Sequence, residues 1–273
     1  MRKSTPKVAK ILFYVIAISY ALIAIFPYIW GAYTALRPTS QAYKLTFDFA
    51  DLSLNAFKSL FQKNDIGRWY FNSILVATCV TFLGVATSTM AGYALARLEF
   101  FGKKILFIAV VGVMMIPAQI TMIPQYMLLN KLELVNNYLG LILPFIFNAF
   151  NIFMMRQFFL SFPASLEEAA EIDGMGRIKI FFKVALPLAK PAVTTITIMS
   201  FMGSWNNFLM PNLLITSRDM YTLPVGMASL NSQYFSYPNQ IMAGAMLLSI
   251  PMIIFFLVFQ RHFIQGITTS GIK

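Results

Sequence analysis

Glu167, Glu168, Glu171 and Asp173 stand close together in the chain, and Arg177, Lys179 and Lys183 follow at once. The chemistry this set can do is noncovalent. Ser165-x-x-Glu168 has the spacing of a capping box, which would start a short helix. Glu167, Glu168 and Glu171 put negative charge on its first turns, where the helix dipole favours it. Leu166, Ala169 and Ala170 fall at i, i+3 and i+4 and would form a narrow apolar face of mostly small side chains. Such a face admits another backbone closely. Gly174 stands where a helix end wants a left-handed residue, and Leu186-Pro187 closes the segment. Two uses fit. Either the loop caps itself, with Glu168 as a capping partner, or a short helix seats in a groove of another protein.

A second set of polar side chains lies inside apolar runs: Gln119, Gln125, Asn148, Asn151, Asn206 and Asn207. Asn148 and Asn151, three apart, share a helical face. Amides at membrane depth bond to neighbouring helices or line a watery path. As mixed donors and acceptors they suit an uncharged polyhydroxy solute, whose apolar ring faces Tyr126, Trp205 and Phe208 could cover. No apolar run carries Asp or Glu near its centre, which argues against an ion-driven carrier. The chain has no His-Glu-x-x-His, no phosphate-cradling Gly-rich loop and one histidine, His262, with no acidic or cysteine neighbour. Catalytic and metal-ligating roles are therefore not assigned.

These residues must be positioned by lipid-embedded elements. Of 273 residues, 58% are hydrophobic and 11% charged, against about 25% charged in a soluble domain. The net charge of +11 does not point to nucleic acid, because the basic residues flank apolar runs. The single cysteine, Cys79, lies in such a run and excludes a disulfide framework. Six segments are long enough to span a bilayer: about 11–36, 70–96, 105–129, 138–160, 188–212 and 239–260. The first reads as a retained span, not a cleaved leader. Pro117 and Pro124 should kink the third. The expected fold class is an all-α membrane protein with six transmembrane helices in a single domain, 1–273. An N-terminus inside the cell puts Arg2, Lys3, Lys7, Lys10, Arg97, Lys103, Lys104, Arg156, Arg177, Lys179, Lys183, Lys190, Arg261 and Lys273 inside. This is the larger share of the positive charge. Both termini are then cytoplasmic. Outside lie segment 37–69, with an amphipathic turn near Phe57 and Phe61, and a long loop at 212–238.

Glu168-Ala169-Ala170, Gly174 and Leu186-Pro187 together resemble the cytoplasmic loop of bacterial ABC importer permeases. Pro163 to Gly174 is similar to the sugar branch of that family. So, in order, are Trp205-Asn206-x-Phe208, Thr222-Leu223-Pro224-Val225-Gly226 and Gln260-Arg261-x-Phe263-x-Gln265-Gly266. The first half matches in layout, with Asn72-Ser73 opening the second span. The resemblance implies the type I ABC importer permease fold, in a smaller permease of maltose-transporter type in a bacterial cytoplasmic membrane. It implies a coupling helix made by Leu166, Glu167, Glu168, Ala169, Ala170, Glu171, Asp173, Gly174, Leu186 and Pro187. Its partners would be a second permease, two ABC ATPase subunits and an extracytoplasmic solute-binding protein. No cofactor is expected on this chain, with ATP and Mg on the ATPase subunits. Loop 212–238 would meet the binding protein and tail 265–273 the ATPases. In the family's best-known member the sugar rests mainly on the larger permease, so Gln119, Gln125, Tyr126, Asn148, Asn151, Trp205, Asn206 and Asn207 would contact the solute or only line the gate. The open alternatives are another solute, such as a polyol or glycerol phosphate, and an ion-coupled carrier.

Overall fold

A computed structural model describes residues 7–44, 46–230 and 237–269, with side chains up to 259. Arg2, Lys3, much of the apex of the 212–238 loop and tail residues 270–273 lie outside the described residues, as does the His262 side chain. The described residues form helices and connecting turns, with no strand among them. Helices α1 (Lys7–Leu36), α2 (Asn55–Lys63), α3 (Ile66–Arg97), α4 (Lys103–Met114) and α5 (Ala118–Lys131) form the first half. Then come α6 (Tyr138–Ile142), α7 (Ala149–Leu160), α8 (Ser165–Ile172), α9 (Arg177–Ile180), α10 (Leu186–Leu188) and α11 (Lys190–Trp205). Helices α12 (Leu209–Leu214), α13 (Leu223–Ser229) and α14 (Pro238–Thr269) complete the chain. A π-helical turn, Phe181–Ala185, links α9 to α10.

Four stretches are long and apolar enough to cross a membrane: Lys7–Leu36, Ile66–Arg97, Tyr138–Leu160 and Pro238–Phe259. Two bent pairs raise this to six if each is one span. The expected third span is one of them. It is not a kinked rod but two helices, α4 and α5, at 106°. Pro117 explains the break. It lacks an N–H and disfavours helical dihedrals at Ile116, and it takes ψ 128° at the start of α5. Pro124 stays inside α5. The expected fifth span, 188–212, differs similarly. Helix α11 ends at Trp205, and the stretch Arg177–Leu188 meets it at 77°. The expected fourth span stands at 138–160, with a 3₁₀ turn at Leu143–Phe145 around Pro144.

The chain divides into two compact units. One comprises Met1–Ile66 and Met227–Pro251. There the α1 window is wholly unburied within the chain, and so apolar a surface needs lipid or another chain around it. Arg37 is buried at its end, with Nη1 donating to Lys44 O at 2.6 Å and the guanidinium over the Tyr33 ring. Asn239 of α14 donates to Arg37 O at 3.1 Å. The amphipathic turn expected near Phe57 is α2, which buries Ala56 and Leu60 and exposes Phe61.

The other unit comprises Gly67–Gly226 and Met252–Lys273 and holds both sets of candidate residues. It has two apolar clusters. Val76 and Val80 of α3 pack with Leu129, Leu141, Met210 and Leu214. Tyr93, further along α3, packs with Met155, Phe159, Phe181 and Ile196. Helix α3 therefore runs through both.

Candidate functional site

Helix α8 forms where the acidic cluster predicts it, but its start differs from the expectation. Ala164 is the N-cap, with helical dihedrals and no side-chain cap. Ser165 is already inside the helix, so no capping box with Glu168 forms. The opening N–H groups of Glu167 and Glu168 both reach Ala164 O, at 2.9 and 3.1 Å. The helix end is as expected. Gly174 has φ 78°. Its N–H donates to Glu171 O at 2.9 Å, and the Met175 N–H reaches back to Ala170 O at 3.0 Å. These are the paired bonds of a left-handed helix stop. Glu171 then pairs with Arg177, tying α8 to α9.

The two faces of α8 differ in purpose. Glu167 and Ala170 are buried, whereas Leu166, Glu168, Ala169, Glu171, Ile172 and Asp173 are exposed. The free apolar face is therefore Leu166, Ala169 and Ile172, not the Leu166, Ala169 and Ala170 set drawn from spacing. Ile172 is 87% exposed, and Ile178 on α9 is 75% exposed. Further on, Leu186 is partly buried and Pro187 exposed.

Glu167, 8% exposed, faces α3. Its Oε2 accepts from Tyr93 Oη at 3.2 Å, and its Oε1 lies 3.2 Å from Arg97 Nε. That Nε makes a charge contact and not an aligned hydrogen bond. Arg97 Nη2 donates to Phe162 O at 2.7 Å. Sequence reasoning missed this partnership. Its only trace is a basic residue ending an apolar span.

A polar cavity of about 270 Å³ brings together Asn148, Asn151 and Asn207 with Ser200 and Ser204. Val80, Phe145, Phe150 and Met199 complete most of its wall, and among the described residues no charged side chain lines it. The two serines do not stand out in the sequence because small hydroxyls, unlike amides, are common within apolar helices. Their spacing with Asn207, at i, i+4 and i+7, was a readable signal of one helical face. Asn148 caps α7 by accepting from the Asn151 N–H at 3.0 Å, and Asn151 Nδ2 donates to Ser200 Oγ at 2.8 Å.

The other pathway candidates do not line this cavity. Trp205 is buried, stacked on Phe201 and tilted against Tyr70. Asn206 is exposed and donates to Met202 O of its own helix at 2.9 Å. Gln119 is exposed on α5, Gln125 is partly buried, and Tyr126 packs against the cluster around Val76 and Leu214.

Near the start of α3, the loop leading to α13 is bound down. Trp69 Nε1 donates to Arg218 O at 2.9 Å. Asn72 Nδ2 donates to both Asp219 O and Tyr221 O at 2.8 Å, while its Oδ1 accepts from Tyr138 Oη at 2.7 Å. Ser73 Oγ accepts the Leu223 N–H at 2.7 Å. Asn136 Oδ1 accepts from the Thr216 N–H, the Ser217 N–H and Ser217 Oγ.

Comparison with known proteins covers the whole chain. The family described as "binding-protein-dependent transport system inner membrane component" matches residues 84–269. The arabinooligosaccharides transport system permease protein AraQ of Halalkalibacterium halodurans is 37% identical over 280 residues, covering 100% of this chain and 99% of that one. Its Bacillus subtilis counterpart is 35% identical, covering 99% and 97%. A chain from the crystal structure of a bacterial ABC transporter involved in the import of the acidic polysaccharide alginate superposes with a TM-score of 0.83. It is 26% identical and covers 95% of this chain and 99% of that one. With its family match over more than half the chain and relatives aligned end to end, this protein belongs to the binding-protein-dependent transport system inner membrane components.

Proposed function

We propose that this chain is one permease subunit of an ATP-driven importer of oligosaccharide, acting as a single membrane domain with six spans and both termini in the cytoplasm. The observation that carries this reading is its end-to-end similarity to arabinooligosaccharide permeases. A second permease, two ATPase subunits holding ATP and Mg, and an extracytoplasmic binding protein complete the working unit. This chain holds no cofactor and performs no hydrolysis.

Helix α8 is the coupling element, and its exposed Leu166, Ala169 and Ile172 suit a partner's groove. A lever shifts an equilibrium only through contacts that differ between its two states. The contacts that differ are then those among the spans and within the ATPase pair, while α8 stays seated and passes the motion between them. Along the solute path we place Asn148, Asn151 and Asn207, with Ser200 and Ser204. A cavity of amides, hydroxyls and aromatic rings without charge suits a neutral polyhydroxy compound. A polyol would suit it also.

The test is to co-purify the complex, identify the solute retained by its binding protein, and measure uptake into proteoliposomes. Uptake of a neutral oligosaccharide that needs both ATP and the binding protein is expected. Transport by the purified chain alone, driven by an ion gradient, would overturn the reading.

A further inference from the structure

Helix α3 differs from every other candidate span in one respect: its sequence contains no proline. It is one unbroken helix of 32 residues. Both of its ends are tied by side-chain bonds to segments far away in the sequence. Near its start, Asn72 holds two carbonyls of the 219–221 loop, and Trp69 and Ser73 hold the residues on either side. Near its end, Tyr93 and Arg97 hold Glu167 of α8, and Arg97 also holds Phe162 O. Asn72 and Arg97 are about 38 Å apart along a straight helix.

We infer that α3 is a connecting rod between the 216–223 loop and α8, with Asn72, Tyr93, Arg97 and Glu167 as its positioning residues. The inference rests on the transport reading above, since that reading supplies the nucleotide-driven motion. Pulling Glu167 from Arg97 would leave a largely buried charge uncompensated, so the pair moves together instead of parting. Pulling the loop from Asn72 would strand the buried amide and the carbonyls it holds. A helix without proline has no built-in kink to absorb the displacement between them.

The experiment uses the assembled complex in proteoliposomes. Cys79 is replaced by alanine, and Thr216, exposed beside the pinned loop, is replaced by cysteine. A membrane-impermeant maleimide reads its labelling rate with and without trapping by Mg-ATP and vanadate. The parent rate should change by about fivefold or more, the lower range of ordinary coupling between sites. Glu167→Gln should shrink that change toward unity while the complex still hydrolyses ATP, a result that a merely structural role would not give. Tyr93→Phe, which removes one hydroxyl, should give an intermediate response and serves if Glu167→Gln fails to assemble. Glu99→Gln, an exposed carboxylate near Arg97, should respond like the parent. An undiminished response in Tyr93→Phe and Glu167→Gln overturns the rod. So does a parent that hydrolyses ATP with no change in labelling. If no hydrolysing partner assembles at all, it is the transport reading that fails.

Discussion

Asn151 Nδ2 donates to Ser200 Oγ at 2.8 Å, joining α7 to α11 at the wall of the polar cavity. The bond can serve packing, passage or both, and its neighbours separate the two. Interhelical bonds of this kind contribute about 0.6 kcal/mol on average in membranes. Asn151→Ala should lower thermal stability in detergent by about that amount. Asn207→Ala should instead raise the solute concentration for half-maximal uptake by about two- to tenfold, the effect of one lost hydrogen bond. Uptake measured at graded solute concentration checks this. If Asn207→Ala leaves uptake unchanged, the cavity is structural.

The exposed apolar side chain of Ile172 is expected to be a docking contact. Ile172→Asp should leave the melting temperature of the isolated chain within error, because surface changes shift stability by about 0.5 kcal/mol or less. It should sharply reduce the ATPase recovered when the chain is pulled down from membranes. The same substitution at Ile178 should have a smaller effect if the groove is centred on α8. Full recovery with both would show that this face is not covered by the ATPase.

Gly174 is required by its backbone and not by its surroundings. Among the described residues nothing lies within 4 Å of where a Cβ would stand, yet φ is 78°. A left-handed conformation costs a residue with a Cβ about 1–2 kcal/mol. Gly174→Val should therefore loosen the end of α8 and uncouple hydrolysis from uptake. Gly174→Asn, which tolerates this region, should largely preserve it. The ratio of ATP hydrolysed to solute imported is the measurement, and a normal ratio in the valine variant would refute the role.

At Gly92 the opposite holds. A Cβ there would stand 2.6 Å from Met155 Cβ and 2.9 Å from the Arg156 N, so α3 and α7 cross almost backbone to backbone. Gly92→Ala should destabilise by about 1–3 kcal/mol, as overpacking typically does. Gly92→Leu should not yield folded protein. Detergent melting curves distinguish this from a functional defect. An alanine variant as stable as the parent would mean that the helices can separate freely.

Much of this was legible in the sequence. Apolar length locates the four long apolar stretches and the two bent pairs, and the Glu-Ala run ending at Gly174 locates α8 and its stop. Hydropathy is blind to direction, however, so the break after Trp205 is not visible in it, and at Pro117 the expected kink is in fact a full break of 106°. Pro117 breaks its helix while Pro124 does not, and only the surrounding packing decides which. The start of α8 was misplaced because Ala164 adopts helical dihedrals and takes the capping position from Ser165. The burial of Glu167, in contrast to Glu168, depends on Tyr93 and Arg97, which are too distant in the chain for spacing to reveal. Among the pathway residues, Asn148, Asn151 and Asn207 converge because they flank two facing helices. Trp205 does not join them because its ring is needed between Tyr70 and Phe201.

The π-helical turn at 181–185 has an evolutionary corollary. Such a turn is an α-helix with one residue inserted. Deleting any one residue from Phe181 to Ala185 would restore ordinary winding, and it would swing everything before it by about 100° around the helix axis. The exposed Ile172 would then face a different direction even though its side chain was kept. In this lineage, single-residue gaps should be tolerated in the 98–102 connection and purged from 181–185.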